Sequence, residues 1–159
     1  MTVGIGFDVH KLVKGKLLFL GGMRIPYSRG LAGHSDGDVV LHAVCDAILG
    51  AASKGDIGDW FPDTDPKYKD ISSAILLSKI RDKIKNKWTI ENIDINILGK
   101  TPKLGKIKSL IARKIAEICH IDSSCVNVKA KTMNTFGNIG KGKYIASCSI
   151  VSLKKRRQK

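Results

Sequence analysis

The first ten residues alternate, with Val3, Ile5, Phe7 and Val9 on one side and Gly4, Gly6, Asp8 and His10 on the other. A period of two predicts a strand. Its apolar face is expected to pack inward, and the glycines opposite leave room for another backbone or subunit. Residues 16–25 predict a short hairpin turning at Gly21-Gly22, and residues 26–33 a loop. In residues 38–52, Val39, Ala43, Val44, Ala47, Ile48 and Ala51 recur at helical spacing, and Asp36 or Asp38 stands where an acidic residue satisfies free N–H groups. Residues 55–66 hold two prolines, two glycines and four aspartates, which exclude regular structure; Trp60-Phe61 within them points to a docked loop.

Ser72 or Ser73 is placed to cap a helix running to about residue 86, with Ile75, Leu76, Ile80 and Ile84 inward. Residues 89–98 return to strand alternation through Ile93, Ile95 and Ile97. A tight loop at 99–103 leads into a helix over 104–119 that buries Ile107, Leu110, Ile111, Ile115 and Ile118. Strands follow at 126–130 and 143–153. The intervening 131–142 combines glycines, hydroxyls and cations, equally suited to cradling phosphate through backbone N–H groups and to a flexible loop. This order predicts one α+β domain over residues 1–153, a mixed sheet with helices packed on one face, followed by a disordered basic tail over residues 154–159.

The strand and the helix together suggest chemistry. Asp8 and His10, two residues apart, share a face of the first strand. His42 lies about one turn into the helix, on the stripe of Asp38 and Asp46. One carboxylate and two imidazoles can then converge, and three protein ligands with a free fourth position is how catalytic zinc is held. A lone helical histidine is more often a core or surface residue. Here, however, His10, His34 and His42 are three of only four histidines and fall within one short span.

Composition narrows the function. The chain of 159 residues carries a net charge of +14, with basic stretches at residues 79–87 and 154–159. Such charge suits nucleic acid, a polyanionic small molecule, or a source whose composition favours lysine. No nucleic-acid-binding motif accompanies it, and at 6% aromatic residues there are few stacking platforms. No apolar run approaches a membrane span, and no signal peptide is expected ahead of the first strand. Cys45, Cys119, Cys125 and Cys148 lack CxxC spacing and fit small buried hydrophobes in a reducing compartment. A cytoplasmic location is expected, or a plastid-type organelle after removal of a transit peptide.

Gly4-Ile5-Gly6-Phe7-Asp8-Val9-His10, then Gly33-His34-Ser35-Asp36-Gly37-Asp38 through His42, then Gly55-Asp56-Ile57-Gly58 through Phe61-Pro62-Asp63-Thr64-Asp65-Pro66 resemble the 2-C-methyl-D-erythritol 2,4-cyclodiphosphate synthase family of the non-mevalonate isoprenoid route. The similarity continues through Lys100-Thr101-Pro102-Lys103 and Val126-Asn127-Val128-Lys129-Ala130. It implies a homotrimer with active sites between subunits. The implied reaction turns 4-diphosphocytidyl-2-C-methyl-D-erythritol 2-phosphate into the cyclic diphosphate and releases CMP. Asp8, His10 and His42 would hold zinc, and His34 and Thr132 would stabilise the transition state. Asp8, Val9, His10, His34, Ser35, Asp56, Ile57, Gly58, Phe61, Pro62, Asp63, Thr64 and Asp65 would contact the phosphate and methylerythritol part. Gly99, Lys100, Thr101, Pro102, Lys103, Leu104 and Gly105 would receive cytidine, and Lys131, Thr132, Met133, Asn134, Asn138 and Lys141 complete the implied set.

The sequence departs from the family in the late loop. Asn134 stands where a glutamate usually binds a second divalent ion, Mg2+ or Mn2+, and a neutral amide oxygen is the weaker ligand for a hard cation. Lys131 replaces a common threonine, while Asn138, Lys141 and Lys143 replace phenylalanine, arginine and glutamate. A polar Asn138 disfavours apolar binding in the central trimer cavity, where Lys141 keeps the charge. Two rivals stand beside this: a zinc-dependent nucleotide-diphosphate phosphohydrolase, and a basic nucleic-acid-binding module.

Overall fold

Glycine and alanine lie against each other where the first strand meets the first helix, and the domain is assembled around that contact. In the computed structural model, which describes residues 1–156, β1 spans Thr2–Lys14 and α1 spans Val39–Ala51. A Cβ at Gly6 would lie 1.9 Å from the Ala43 carbonyl oxygen, and one at Gly4 would lie 2.1 Å from that of Ala47. Only glycine permits the helix backbone to rest directly on the strand. The apolar side of β1, expected inward, therefore faces out: Val3, Ile5, Phe7 and Val9 are 61%, 68%, 57% and 44% exposed. Alternation separates two faces but cannot say which one a helix will cover.

Four other strands extend this layer, and one hairpin forms a separate two-stranded sheet. β2 (Leu18–Leu20) and β3 (Met23–Ile25) form the hairpin expected at Gly21-Gly22, both in positive φ. β4 (Arg29–Leu31) lies in the stretch expected to be loop and pairs antiparallel with the far end of β1. β5 spans Trp88–Leu98, β6 Val126–Lys131 and β7 Tyr144–Lys155, giving a sheet in the order β4-β1-β7-β5-β6. Every pairing is antiparallel except β5 with β6. That parallel pair needs a crossover, supplied by α4 (Lys108–Cys119). In register across the sheet, Gly4, Val151, Ile93 and Val126 share the helix-covered face, and all are buried. The fold is thus the expected α+β layer, a mixed sheet with helices on one side. Among the described residues no helix is long and apolar enough to cross a membrane.

Asp38 joins the hairpin to α1. Fully buried, its Oδ1 accepts N–H groups of Val40 and Leu41 at 3.1 Å and of Gly21 at 2.9 Å, while Oδ2 accepts that of Gly22 at 2.6 Å. It is the N-cap and points into the hairpin, not toward His42. α3 (Ser73–Ile84) starts on Ser72, as the spacing predicts, but Ile75 is exposed and Leu77 takes the inward place. α4 starts at Lys108 rather than 104, and its Leu110 is exposed. Short helices also appear where loops were expected, α2 at Ile57–Trp60 and α5 at Gly137–Gly140. At the C-terminus, β7 carries Lys154 and Lys155 into pairing with Thr89 and Trp88, so the sheet extends past the expected boundary at 153. Arg157, Gln158 and Lys159 of the expected tail lie outside the described residues.

Gly6→Ala should cost about 3 kcal/mol or more, because a backbone carbonyl cannot yield 1.9 Å to a methyl group. Gly50→Ala, with nothing nearer than 3.9 Å, should stabilise α1 by about 0.5–1 kcal/mol. Urea unfolding midpoints of the two variants check the contrast.

Candidate metal centre

The close contact of β1 and α1 delivers three donors to one point. Asp8 Oδ2 lies 2.8 Å from His10 Nε2 and 3.0 Å from His42 Nδ1, and donor atoms of all three residues fall within 4.8 Å of one another. On its far side the His10 ring meets the Ala32 carbonyl through Nδ1. A carbonyl only accepts, so Nδ1 carries the proton, and in the neutral ring Nε2 is a bare lone pair turned toward Asp8. A carboxylate oxygen facing an imidazole lone pair is repulsive, so the point favours either a second ring proton donated to Asp8 or a metal ion bonded by both groups. Carboxylate and imidazole nitrogens suit a divalent transition ion, and a ring N–H held from behind is how metal-bound histidines are oriented.

The charges agree with this. Burial pushes the Asp8 carboxyl up, but hydrogen bonds from His10 and His42, with their charge, outweigh it and hold the group well below the usual carboxylate range. Burial pushes His10 down, and Asp8 and the Ala32 carbonyl outweigh it in turn, raising the imidazole above its ordinary value. Each partner favours a positive charge at the shared point.

Beside the three ligands opens a cavity of about 410 Å³, lined by His10, His34, Ser35, His42, Ile57, Gly58, Phe61, Pro62, Asp63, Tyr68, Ile71 and Leu76. Its size suits a small organic ligand. Its outer wall is docked firmly. Asp46 Oδ1 accepts the Ile57 N–H at 2.8 Å, Asp56 and Asp59 cap α2 reciprocally, and Trp60 Nε1 donates to the Lys54 carbonyl at 2.9 Å. Phe61 meets Tyr68 edge to face at 5.2 Å. The aspartates of this loop divide their work: Asp63 lines the cavity, Asp56 caps α2, and Asp65 caps the turn at Pro66–Tyr68 and pairs with Lys67. Thr64 is exposed outside the lining.

Other expected site residues lie elsewhere in this chain. Val9 points out of the opposite face of β1. The loop from Gly99 through Lys100, Thr101, Pro102 and Lys103 to Gly105 follows β5, and Lys131, Thr132, Met133, Asn134, Asn138 and Lys141 follow β6; these strands are two and three positions from β1. None of these residues lines the cavity. The two loops adjoin each other, with Gly99 N–H donating to the Lys131 carbonyl at 2.9 Å. Tyr27 steadies the first of them, its hydroxyl 2.7 Å from Thr101 Oγ1 and accepting from Arg29 at 3.0 Å. Leu104 is turned into the core, so its side chain is out of reach of a ligand. Asp46, Tyr68 and Ile71 were not read as site residues. Asp46 stands one turn beyond His42, a usable signal, whereas the latter two follow Pro66 with no periodicity to mark them. A larger groove of about 670 Å³ between α4 and β6, lined among others by Lys108, Arg113 and Asn127, contains no carboxylate or imidazole.

Fold and site together define an α+β domain, built on a five-stranded and a two-stranded sheet, with an Asp-His-His group placed to hold a metal ion beside a ligand-sized cleft. The model of the YgbB family matches residues 1–154, and the chain belongs to that family. It is 48% identical over 151 residues to the 2-C-methyl-D-erythritol 2,4-cyclodiphosphate synthase of Desulfosudis oleivorans, covering 94% of this chain and 90% of the relative. Among solved structures, the bifunctional IspDF of Campylobacter jejuni superposes with a TM-score of 0.93 at 42% identity, over 98% of this chain and 42% of that longer one. A CDP complex of IspF from Plasmodium falciparum superposes with a TM-score of 0.85 at 36% identity, over 98% and 97% of the two chains. The family resemblance carried by the sequence motifs is thereby shown.

Asp46→Ala should release α2 without touching the metal ligands. Removing the acceptor leaves the Ile57 N–H unpaired, worth a change of about tenfold in local opening. Faster amide exchange over residues 57–60, with metal content unchanged, is the expected outcome by hydrogen-exchange mass spectrometry.

Proposed function

We propose that this chain converts 4-diphosphocytidyl-2-C-methyl-D-erythritol 2-phosphate to 2-C-methyl-D-erythritol 2,4-cyclodiphosphate and CMP. The observation that carries the proposal is the convergence of Asp8, His10 and His42 on one point beside the cavity. Family membership over residues 1–154 supports it, as do the names of the relatives. The donor set fits zinc, with one coordination position left for a terminal phosphate oxygen. When bound there, zinc withdraws charge from the β-phosphate and orients it.

The protein's own share is positioning and charge neutralisation, which phosphoryl transfer needs more than covalent help. An oxygen of the 2-phosphate forms a bond to the β-phosphorus. The bond from that phosphorus to the oxygen bridging toward the α-phosphate breaks, and CMP leaves with that oxygen. His34, exposed at the cavity rim, donates to phosphate oxygens as charge shifts. Ser35, Ile57, Gly58, Phe61, Pro62 and Asp63 enclose the methylerythritol part, Asp63 accepting from its hydroxyls. Asp56 is assigned to the same hydroxyls, with Asp65 and Thr64 holding the loop's shape.

Thr132 and the 99–105 loop belong to the same reaction, yet they lie outside this chain's cavity. We assign them to the site of an adjoining copy, in a homotrimer, where the loop receives cytidine and Thr132 donates to phosphate. The exposed stripe of Val3, Ile5, Phe7, Val9 and Ile150 supports this assembly. A contiguous apolar face of this kind marks an interaction surface, and burying each such side chain is worth about 1.5–3 kcal/mol. A second divalent ion, Mg2+ or Mn2+, is left out of the proposal, because Asn134 offers no carboxylate to hold it.

Incubation of the purified protein with the substrate in 18O-labelled water separates this reaction from hydrolysis. An unlabelled cyclic product with CMP is expected, and a labelled linear product would establish the phosphohydrolase instead. His42→Ala should lose zinc and CMP release together, with release falling about a thousandfold or more; full activity by HPLC in zinc-free protein would end the assignment. Ile5→Asp places like charges together at the proposed interface. Light scattering should find it monomeric and inactive, its zinc retained.

A further inference from the structure

We infer that Ser73, backed by Asp36, is a positioning residue that holds the His42 ring with its Nδ1 lone pair toward the metal point. This rests on the metal site proposed above and deepens it, because neither residue lines the cavity or belongs to the three ligands. His42 Nε2, the ring nitrogen facing away from Asp8, has two hydroxyls within reach, Ser35 Oγ and Ser73 Oγ, each at 3.0 Å. The two differ in what they can do.

Ser73 Oγ lies 2.5 Å from Asp36 Oδ1, and Asp36 Oδ2 accepts the Ser73 N–H at 3.0 Å. An ionised carboxylate only accepts, so the single hydroxyl proton of Ser73 goes to Asp36. What Ser73 then offers His42 is a lone pair, and Nε2 must carry a hydrogen to meet it. In a neutral ring this leaves Nδ1 bare, and Nδ1 is the atom 3.0 Å from Asp8 Oδ2. Ser35 imposes no such direction. Its oxygen accepts the Gly37 N–H at 3.3 Å, and no carboxylate takes its proton, so it can give or receive at Nε2. Ser35 by itself would leave the tautomer open.

Local structure frees Ser73 for this task. The N-cap of α3 is Ser72, whose hydroxyl accepts the Ala74 N–H at 3.3 Å, so Ser73 is not needed there. Asp36 is held in place by its own N–H, which donates to the Ile71 carbonyl at 3.0 Å. Ser73 is fully buried, so it acts through His42 and not on a ligand in the cavity. His10 has an equivalent anchor of different chemistry, the Ala32 carbonyl. Both rings are therefore oriented from behind by acceptors, the arrangement that sharpens metal affinity by about 10- to 100-fold.

Ser73→Ala should weaken zinc binding about 10- to 100-fold by competition with a chromophoric chelator. In zinc-loaded protein labelled with 15N-histidine, its His42 Nε2–H resonance should exchange rapidly with water, where the parent protein protects it. Ser73→Thr, which keeps the hydroxyl, should restore both readouts. Asp36→Asn keeps the size of the side chain but not its acceptor-only character, so it should weaken zinc in the same direction and decides the matter if Ser73→Ala does not fold. Zinc affinity within twofold of the parent in both variants, with the resonance still protected, would overturn the relay. So would zinc loss that merely follows a drop in the melting temperature of the metal-free protein, since Asp36 and Ser73 would then be a structural clasp. A parent protein that takes up no zinc would instead overturn the metal site itself, and that result precedes any variant.

Discussion

The direct seating of α1 on β1 governs everything placed around it. With hydrogen atoms at Gly4 and Gly6 facing the backbone of Ala43 and Ala47, strand and helix approach more closely than any side chain would allow. That proximity lets a histidine one turn into the helix reach a carboxylate and an imidazole on the strand. A larger residue at either glycine would lift His42 away from Asp8, and the three donors would no longer share a point. The same contact uses up the small-residue face of β1, so its branched and aromatic side chains must face the other way.

Around that point the surroundings are arranged in depth. Asp38, buried with four N–H donors on its carboxylate, ties the hairpin to the start of α1 and so sets where the helix begins. The next layer consists of groups behind the two imidazoles, a backbone carbonyl for His10 and the hydroxyls of Ser35 and Ser73 for His42. A ligand-binding loop is then pinned over the cavity by Asp46 and Trp60. Each layer restricts the one inside it.

The proposed catalytic set divides across the sheet. His34, Ser35, Ile57, Gly58, Phe61, Pro62 and Asp63 gather at the proposed metal point, while the 99–105 loop and Thr132 stand two and three strands away. None of the second group lines the cavity at the first. An apolar open face on β1 and an expected site set that does not gather at one cavity are the two observations behind the proposed assembly of copies.

Much of the fold was legible in the residue pattern. The period-two stretches at Ile93, Ile95 and Ile97 and the helical spacing around Val44 and Ile48 report local geometry, which neighbouring residues decide. Asp8 and His10 on one strand face, with His42 on a helix, could be read for the same reason. Their convergence needed only that this strand and this helix touch. Contacts between distant segments left no such trace. No period marks Arg29–Leu31 as a strand, since its pairing partner lies on β1; nothing near Ser73 says that its proton goes to Asp36, 37 residues earlier. The β1 faces carry no direction of their own, because alternation is symmetric between two sides and the helix covers the glycine face, not the apolar one. Residue order thus determined the elements and the kind of chemistry, while tertiary packing decided which face was covered, which hydroxyl met which ring, and which loops lay outside the cavity, because those depend on distances in space and not along the chain.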